Sequence, residues 1–198
     1  VLADVNLLVW HGERVGLVGP NGAGKSVLFR IIRGQEQADA GMVYIGPSVA
    51  YGYYAQEHET LDYDATLFDT LAKEANLPES PAMAHLSRFL FTYEQARSSG
   101  RTLSGGERSR LQMALLRLGG VNLLLLDEPT NNLDIASAEV LEEALEDFEG
   151  TVIVISHDRY FLDRVVDRVV ELDDGRLTEY IGGYSNYEAT RLARRRGR

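Results

Sequence analysis

Short apolar runs, each ending in a polar or glycine-rich turn, dominate the hydrophobic pattern of the chain. Residues 15–18, 121–126 and 152–155 are apolar almost throughout rather than at alternate positions. Strands that are apolar on both faces are typical of a parallel sheet covered by helices on both sides. The second and third runs lead directly into polar residues, Asp127 and Ser156. We therefore predict three buried strands, two of which deliver polar groups at their C-terminal ends.

Two stretches next to these runs have the period of an amphipathic helix. Residues 27–32 follow the first run after a glycine-rich turn, and residues 135–148 place apolar residues at helical spacing with acids on the opposite face. Strands that alternate with helices indicate an α/β fold. Near the C-terminus, residues 169–172 and 177–180 flank the polar run 173–176, which predicts a β-hairpin.

A mainly helical region interrupts this alternation. Residues from about 65 to 100 have weak strand signals, and we interpret Pro78 and Pro81 as breaks between helices. We expect one domain over residues 1–198, with a helical subdomain of about residues 65–118 inserted in the α/β core.

Charge is distributed unevenly along the chain. Its 198 residues carry a net charge of −10, which argues against the body of the domain being a general nucleic-acid binder. Residues 185–198 are the exception, because they are rich in arginine and read as a basic helix or the start of a linker. Such a tail either contacts RNA or an acidic partner or is a solvated helix end, and both interpretations stay open.

Composition also limits the class of protein. There are no cysteines, so disulfides and thiolate metal sites are excluded, and a cytoplasmic location is compatible with the sequence. No apolar run approaches the roughly 20 residues that span a bilayer, and we expect no direct membrane insertion. The chain starts at Val1 with residues typical of the middle of a fold, so we expect it to be a piece of a larger polypeptide.

A phosphate-binding loop is predicted between the first strand and the first helix. Residues 19–26 fit the pattern G-x-x-x-x-G-K-[ST]. Glycines allow the backbone to wrap closely around phosphates, and the N–H groups at the start of the following helix bind the anion. We expect Lys25 to reach the β- and γ-phosphates and Ser26 to ligate Mg²⁺. The predicted phosphate-binding residues are Gly19, Pro20, Asn21, Gly22, Ala23, Gly24, Lys25, Ser26 and Val27.

An acidic pair follows the second apolar run. A buried strand that ends at Asp127 and Glu128 delivers both carboxylates to the C-terminal edge of the sheet, where α/β proteins bind ligands. Asp127 can hold the Mg²⁺ shell, and Glu128 can orient and deprotonate the attacking water. The alternative interpretation is that these are solvated acids at a strand end. The presence of a phosphate loop in the same chain makes that alternative less favoured.

Five motifs, in their order along the chain, resemble those of ABC-type ATPases. They are the phosphate loop, Gln56 at the Q-loop position, the signature-like run 103–107, the Walker B and D-loop run 127–134, and the switch histidine His157. The resemblance covers nearly the whole chain. It implies an α/β P-loop NTPase fold, in which helices cover a mostly parallel sheet and a helical subdomain is inserted. It also implies that ATP is hydrolysed to ADP and phosphate with Mg²⁺ as the cofactor.

Individual residues receive roles from this resemblance. Glu128, His157 and Gln56 are the expected catalytic residues, and Mg²⁺ is expected at Ser26, Gln56 and Asp127. The resemblance implies a head-to-tail nucleotide sandwich with a second nucleotide-binding domain, which is either a tandem half of the same protein or a second copy of this chain. The signature residues are expected to act on the nucleotide that this partner holds, and they are Leu103, Ser104, Gly105, Gly106 and Glu107. The expected D-loop residues are Asn132, Leu133 and Asp134. The remaining histidines lack metal-ligand spacing and are interpreted as structural, and they are His11, His58 and His85.

Two further runs resemble the ABC-F branch, whose members have tandem nucleotide-binding domains and no membrane domain. They are residues 156–163 and 181–187. Many members act on the ribosome, as translation factors or antibiotic-resistance proteins, which implies the ribosome, rRNA or tRNA as partners of the full-length protein. The short gap between Gln56 and Leu103 favours the second of two tandem domains. The alternative is the ATP-binding subunit of an ABC membrane transporter.

Overall fold

A six-stranded sheet runs through the computed structural model, which describes residues 2–54, 64–131 and 133–196. The strands are β1 (Arg14–Val18), β2 (Tyr51–Tyr54), β3 (Leu123–Asp127), β4 (Thr151–Ile155), β5 (Arg168–Asp173) and β6 (Arg176–Ile181). Their order across the sheet is β2-β3-β4-β1-β5-β6, and every neighbouring pair is parallel except β5 with β6. The predicted mostly parallel sheet is therefore confirmed, with β1, β3 and β4 at the three apolar runs.

Eight α-helices and one short 3-10 helix (Gly100–Thr102) accompany this sheet in the described part of the chain. The α-helices are α1 (Lys25–Ile32), α2 (Leu67–Ala75), α3 (Glu79–Arg88), α4 (Tyr93–Ala96), α5 (Gly105–Leu118), α6 (Ile135–Glu146), α7 (Arg159–Val165) and α8 (Tyr184–Arg196). Helices α2 to α5 lie between β2 and β3 along the chain. None of the described helices is long and apolar enough to cross a lipid bilayer.

Alternate residues of the central strands enter two different cores. In β4, Val152 and Val154 belong to the larger apolar cluster, which also contains side chains of α2, α3, α5 and α6. Ile153 and Ile155 belong to the smaller cluster on the opposite face, with Leu28 of α1. Because both faces of the strand are buried, the sequence is apolar at every position instead of every second one.

The hairpin at the end of the sheet is confirmed. Strands β5 and β6 pair antiparallel, with Asp173 opposite Arg176. The two residues between them, Asp174 and Gly175, have φ angles of 47° and 74°. A two-residue turn with positive φ at both positions matches the twist of the flanking strands, which explains the Asp-Gly sequence.

Two expectations about element boundaries are wrong. Pro81 does not break a helix, because it lies in the first turn of α3, where a missing backbone N–H costs no helical hydrogen bond. Pro78 is the residue that precedes α3, so only one of the two prolines marks a boundary. Helix α6 ends at Glu146, two residues before the predicted end, and Asp147 closes it.

Candidate active site

The phosphate-loop sequence forms a tight turn between β1 and α1. Gly19, Gly22 and Gly24 have φ angles of 149°, 80° and 107°, a region that side chains disfavour. Gly24 is also the N-cap residue of α1, so the first N–H groups of that helix face the turn. The glycines of the motif are therefore required by the backbone that connects strand and helix.

Lys25 is held at the centre of this turn. Its side chain is buried, and its Nζ donates hydrogen bonds to the carbonyl oxygens of Gly19 at 2.8 Å and Pro20 at 3.0 Å. Burial lowers the pKa of Lys25, while the charges of Glu128 and Asp127 oppose that change. The ammonium group therefore lies between the glycine turn and the two carboxylates at the end of β3.

Asp127, the last residue of β3, is a half-buried carboxylate with hydrogen-bond donors on two sides. Burial raises the pKa of its carboxyl group, and hydrogen bonds with the Ser26 and Tyr53 hydroxyls oppose that change. The Tyr53 hydroxyl donates to Oδ2 of Asp127 over 3.4 Å. Ser26 and Asp127, which come from motifs about a hundred residues apart, are thus brought into hydrogen-bond contact.

Glu128 adopts a left-handed backbone conformation, with a φ angle of 49°. Its N–H donates to the Ile155 carbonyl oxygen at 2.8 Å, which ties the residue to the end of β4. Its carboxylate accepts a hydrogen bond from the backbone N–H of His157 at 3.2 Å and lies 3.4 Å from that residue's Nε2. Burial raises the pKa of Glu128, and raised carboxylate pKa values are frequent in functional clefts.

These groups line one cleft of about 600 Å³. Besides the glycine turn, its walls include Lys25, Ser26, Asp127, Glu128, Asn131 and His157. Parallel strands place their C-terminal ends at one edge of the sheet, which is why β1, β3 and β4 all contribute. Of the predicted phosphate-loop residues, Gly19, Pro20 and Ala23 support the turn without lining the cleft.

The signature-like run lies elsewhere on the chain. Ser104 and Glu107 form a capping box at the start of α5, in which the Ser104 N–H donates to Glu107 at 2.7 Å and the Glu107 N–H donates to the Ser104 hydroxyl at 3.3 Å. Leu103 and Gly106 are buried, whereas Ser104 and Gly105 are exposed. None of residues 103–107, all of them described by the structure, lines the cleft.

The other predicted residues have structural contacts, are exposed, or fall outside the described ranges. Leu133 packs against the larger apolar cluster, and Asp134 caps α6 by accepting the Ser137 N–H at 2.7 Å. His85 contacts the Ala114 carbonyl oxygen through Nε2 at 2.9 Å. His11 is exposed. Gln56, His58 and Asn132 lie outside the described residues.

The oxygen donors in the cleft fit Mg²⁺. This ion is usually bound by one or two carboxylates together with phosphate oxygens and water. Ser26 and Asp127 supply a hydroxyl and a carboxylate side by side in an open cleft. Within the described ranges, no group of three or more His, Asp or Glu side chains is placed to hold a metal by itself. The remaining ligands would therefore come from phosphate and water.

Sequence reasoning assigned no role to two residues of this site. Asn131 lines the cleft, and Tyr53 contacts Asp127 from β2. The run 51–54 was not predicted as a strand, because Gly52 interrupts a short tyrosine-rich segment. The position of the run along the chain could have predicted this strand. A strand that leads into the expected Q-loop should end at the edge of the sheet where the phosphate loop and the acidic pair lie.

A family model described as "ABC transporter" matches residues 2–131 of the chain. Putative ATP-binding protein YdiF of Bacillus subtilis is 43% identical over 188 residues, which are 94% of this chain and 29% of YdiF. ATP-binding protein Uup of Escherichia coli is 40% identical over 190 residues, and these cover 93% of this chain and 30% of Uup. The chain thus spans about a third of the length of these relatives.

A third relative and the solved structures agree with this match. Energy-dependent translational throttle protein EttA of Escherichia coli is 41% identical over 196 residues, which cover 95% of this chain and 35% of EttA. A dimeric structure of the ATP-binding cassette MJ0796 in a post-hydrolysis state, bound to ADP and Pi, superposes with a TM-score of 0.77 at 25% identity. It covers 91% of this chain and 90% of that one. The relatives at 40–43% identity are ABC-F-type proteins. The chain therefore belongs to the family of ABC ATPases, as a nucleotide-binding domain.

Proposed function

We propose that this chain binds Mg-ATP in the cleft at the end of β1 and hydrolyses it as one half of a head-to-tail pair of nucleotide-binding domains. The observation that carries the proposal is that one cleft contains Lys25, Asp127, Glu128 and His157. Within it, Oε1 of Glu128 lies 3.4 Å from Nε2 of His157. A cationic loop, a metal-binding carboxylate and a carboxylate base are the parts that phosphoryl transfer to water needs.

The charged and metal-binding residues of the cleft have separate tasks in this mechanism. The N–H groups of the glycine turn and the Lys25 ammonium bind the triphosphate. Ser26 and Asp127 would hold Mg²⁺, which when bound neutralises charge on the phosphate oxygens. Glu128 accepts a proton from the attacking water, and His157 holds the carboxylate and the water in line with the γ-phosphate. By resemblance, Gln56 contributes to the metal and to the water.

The second half of the pair would supply the signature loop. The exposed N-terminus of α5, with Ser104 and Gly105, can bind an anion but lies outside this chain's own cleft. A partner domain placed head to tail would bring its own copy of this loop to the γ-phosphate. The similar MJ0796 structure is described as a dimer, which supports this arrangement.

Glu128→Gln tests the proposed base directly. The substitution keeps the size and most hydrogen bonds of the side chain but removes its basicity, so turnover should fall at least about 100-fold. ATP affinity should change less than about threefold, because the phosphate-binding groups remain. Turnover is measured as phosphate release, and affinity by calorimetry.

Glu139→Gln is the matched control, because it makes the same change on the exposed face of α6. It should hydrolyse ATP at the wild-type rate. Wild-type turnover in Glu128→Gln would remove this carboxylate from the mechanism.

For the full-length protein, we propose a role in translation, as the second of two tandem domains and in the cytoplasm. The support is the 41% identity to EttA, whose name describes a translational throttle protein, together with the ABC-F-like runs 156–163 and 181–187. The basic residues of α8 would lead towards rRNA or tRNA. Co-sedimentation of the ATP-trapped Glu128→Gln protein with ribosomes tests this role, and co-purification with a membrane domain would favour a transporter subunit instead.

A further inference from the structure

Tyr53 joins three parts of the site that are far apart along the chain. It lies near the C-terminal end of β2, opposite Leu125 in the parallel pair with β3. From there its hydroxyl donates to Oδ2 of Asp127, 74 residues away in sequence, over 3.4 Å. The side chain is half-buried, so this bond is partly shielded from water.

Helix α1 holds the ring of Tyr53 from its other side. The guanidinium carbon of Arg33 lies 3.5 Å from the ring centroid, and the ring of Phe29 meets it edge-on with 6.4 Å between centroids. Phe29 and Arg33 are four residues apart, so the last turn of α1 and its cap present them on one face. Phe29 is fully buried. These two contacts restrict the ring, so its hydroxyl stays directed at Asp127.

The main contact of the Arg33 guanidinium is with the Tyr53 ring. Its Nε is buried and has no hydrogen-bond partner among the described residues. A guanidinium over an aromatic face is stabilised by the ring's negative potential, and more strongly so when shielded from water. The helix that follows the phosphate loop is therefore connected through Arg33 and Tyr53 to the carboxylate at the end of β3.

We propose that Tyr53 is a positioning residue for the metal site, which holds the Asp127 carboxylate in one rotation so that its oxygens are preorganised for Mg²⁺. This inference rests on the proposed role of Asp127 as a metal ligand. Groups that hydrogen-bond to metal ligands fix the ligands' orientation, and their loss weakens metal binding without removing any ligand.

The neighbouring Tyr51 provides a matched control. It points to the same face of β2, and its hydroxyl donates over the same 3.4 Å to the carbonyl oxygen of Arg33. It has no contact with Asp127 and is exposed. Tyr53→Phe and Tyr51→Phe therefore remove the same hydroxyl group from the same strand, and only the first removes a bond to the metal-binding carboxylate.

In the intact protein, Tyr53→Phe should raise the Mg²⁺ concentration for half-maximal ATP hydrolysis about tenfold. Removing a hydrogen-bond partner of a metal ligand typically weakens metal binding by about 10- to 100-fold. We expect the low end of that range because the bond from Tyr53 is long. The rate at saturating Mg²⁺ and the affinity for ATP in EDTA should stay within about twofold of wild type. Binding of Mn²⁺ to the protein–ATP complex, followed by electron paramagnetic resonance, should weaken by a similar factor. Tyr51→Phe should match the wild type in every measurement.

The Tyr53→Phe and Asp127→Asn variants test the positioning role of Tyr53 and the proposed metal site separately. If Tyr53→Phe and Tyr51→Phe show the same metal dependence, the positioning role is overturned. Equal weakening of ATP binding with and without metal would also overturn it, because the effect would then lie on the nucleotide. Asp127→Asn in the same assays tests the ligand itself, and normal Mn²⁺ binding in that variant would instead remove Asp127 from the metal site.

Discussion

Gly19 and Glu128 both have positive φ angles at the edge of the cleft, but for different reasons. At Gly19, a Cβ atom would lie 2.1 Å from the carbonyl oxygen of Leu172 in β5, so no side chain fits. Glu128 carries a side chain in the left-handed region, which costs roughly 1–2 kcal/mol, and its bond to Ile155 holds it there. The glycine is thus required by packing, whereas the strain at Glu128 is offset by a backbone hydrogen bond and fits the proposed role of its carboxylate as the base.

Gly19→Ala should lower the free energy of unfolding by about 2–4 kcal/mol, since it adds both a steric clash and an unfavourable φ angle. Urea denaturation measures this loss. Gly12→Ala isolates the second effect, because Gly12 has a φ angle of 81° with open space around its Cβ position. That control should lose only about 1 kcal/mol. Equal losses in the two variants would contradict the role assigned to the contact with Leu172.

At the scale of elements, a buried carboxylate attaches α8 to the sheet. Glu171 of β5 is 7% exposed and accepts hydrogen bonds from the hydroxyls of Tyr187 at 2.8 Å and Tyr180 at 3.1 Å. Arg191 of α8 lies 3.0 Å from the same carboxylate. In the parallel pair of β1 with β5, Glu171 is opposite Val18, the residue before the phosphate loop. The C-terminal helix is therefore fixed beside the strand that ends in the nucleotide site.

Tyr187→Phe should release part of this attachment. Burial, followed by the bond to Glu171, raises the pKa of Tyr187 well above its ordinary value, so the hydroxyl remains a donor throughout the physiological range. A lost hydrogen bond to a charged group costs about 1.5–3 kcal/mol. Amide hydrogen exchange should accelerate in α8 more than in β4.

The control for α8 is Tyr160→Phe, because the Tyr160 side chain is 89% exposed. It should change the free energy of unfolding by less than about 0.5 kcal/mol. Unchanged exchange of α8 in Tyr187→Phe would show that the helix is held by other contacts.

At the scale of the whole molecule, the chain presents two helix N-termini suited to phosphate, one in its cleft and one outside it. Helix α1 starts at the phosphate loop, and α5 starts at the exposed Ser104. Because these two N-termini do not meet within one chain, they support the proposed head-to-tail pair, in which a second domain would complete the catalytic site.

Ser104→Arg should therefore block closure without disturbing the chain's own phosphate loop. A bulky cation at the start of α5 would keep the partner's nucleotide from the helix N-terminus, and hydrolysis should fall about 100-fold. ATP affinity should stay within about twofold. Ser87→Arg, which adds the same side chain at an exposed position of α3, should hydrolyse ATP normally. Normal turnover in both variants would argue against a head-to-tail pair.

The sequence alone determined the features that depend on residues close together in the chain. Continuous apolar runs predicted β1, β3 and β4, and the glycine pattern with Lys25 predicted the turn whose φ angles require glycine. Local hydrophobic period and turn chemistry are readable because neighbouring residues alone produce them.

Tertiary structure alone decided which distant groups meet. The contact of Glu128 with His157, 29 residues later, and that of Tyr53 with Asp127 both depend on the order β2-β3-β4-β1 and its parallel register. The position of residues 103–107 outside the cleft likewise depends on how α5 packs. A local pattern carries no information about which strands become neighbours, so these contacts had to come from the folded chain.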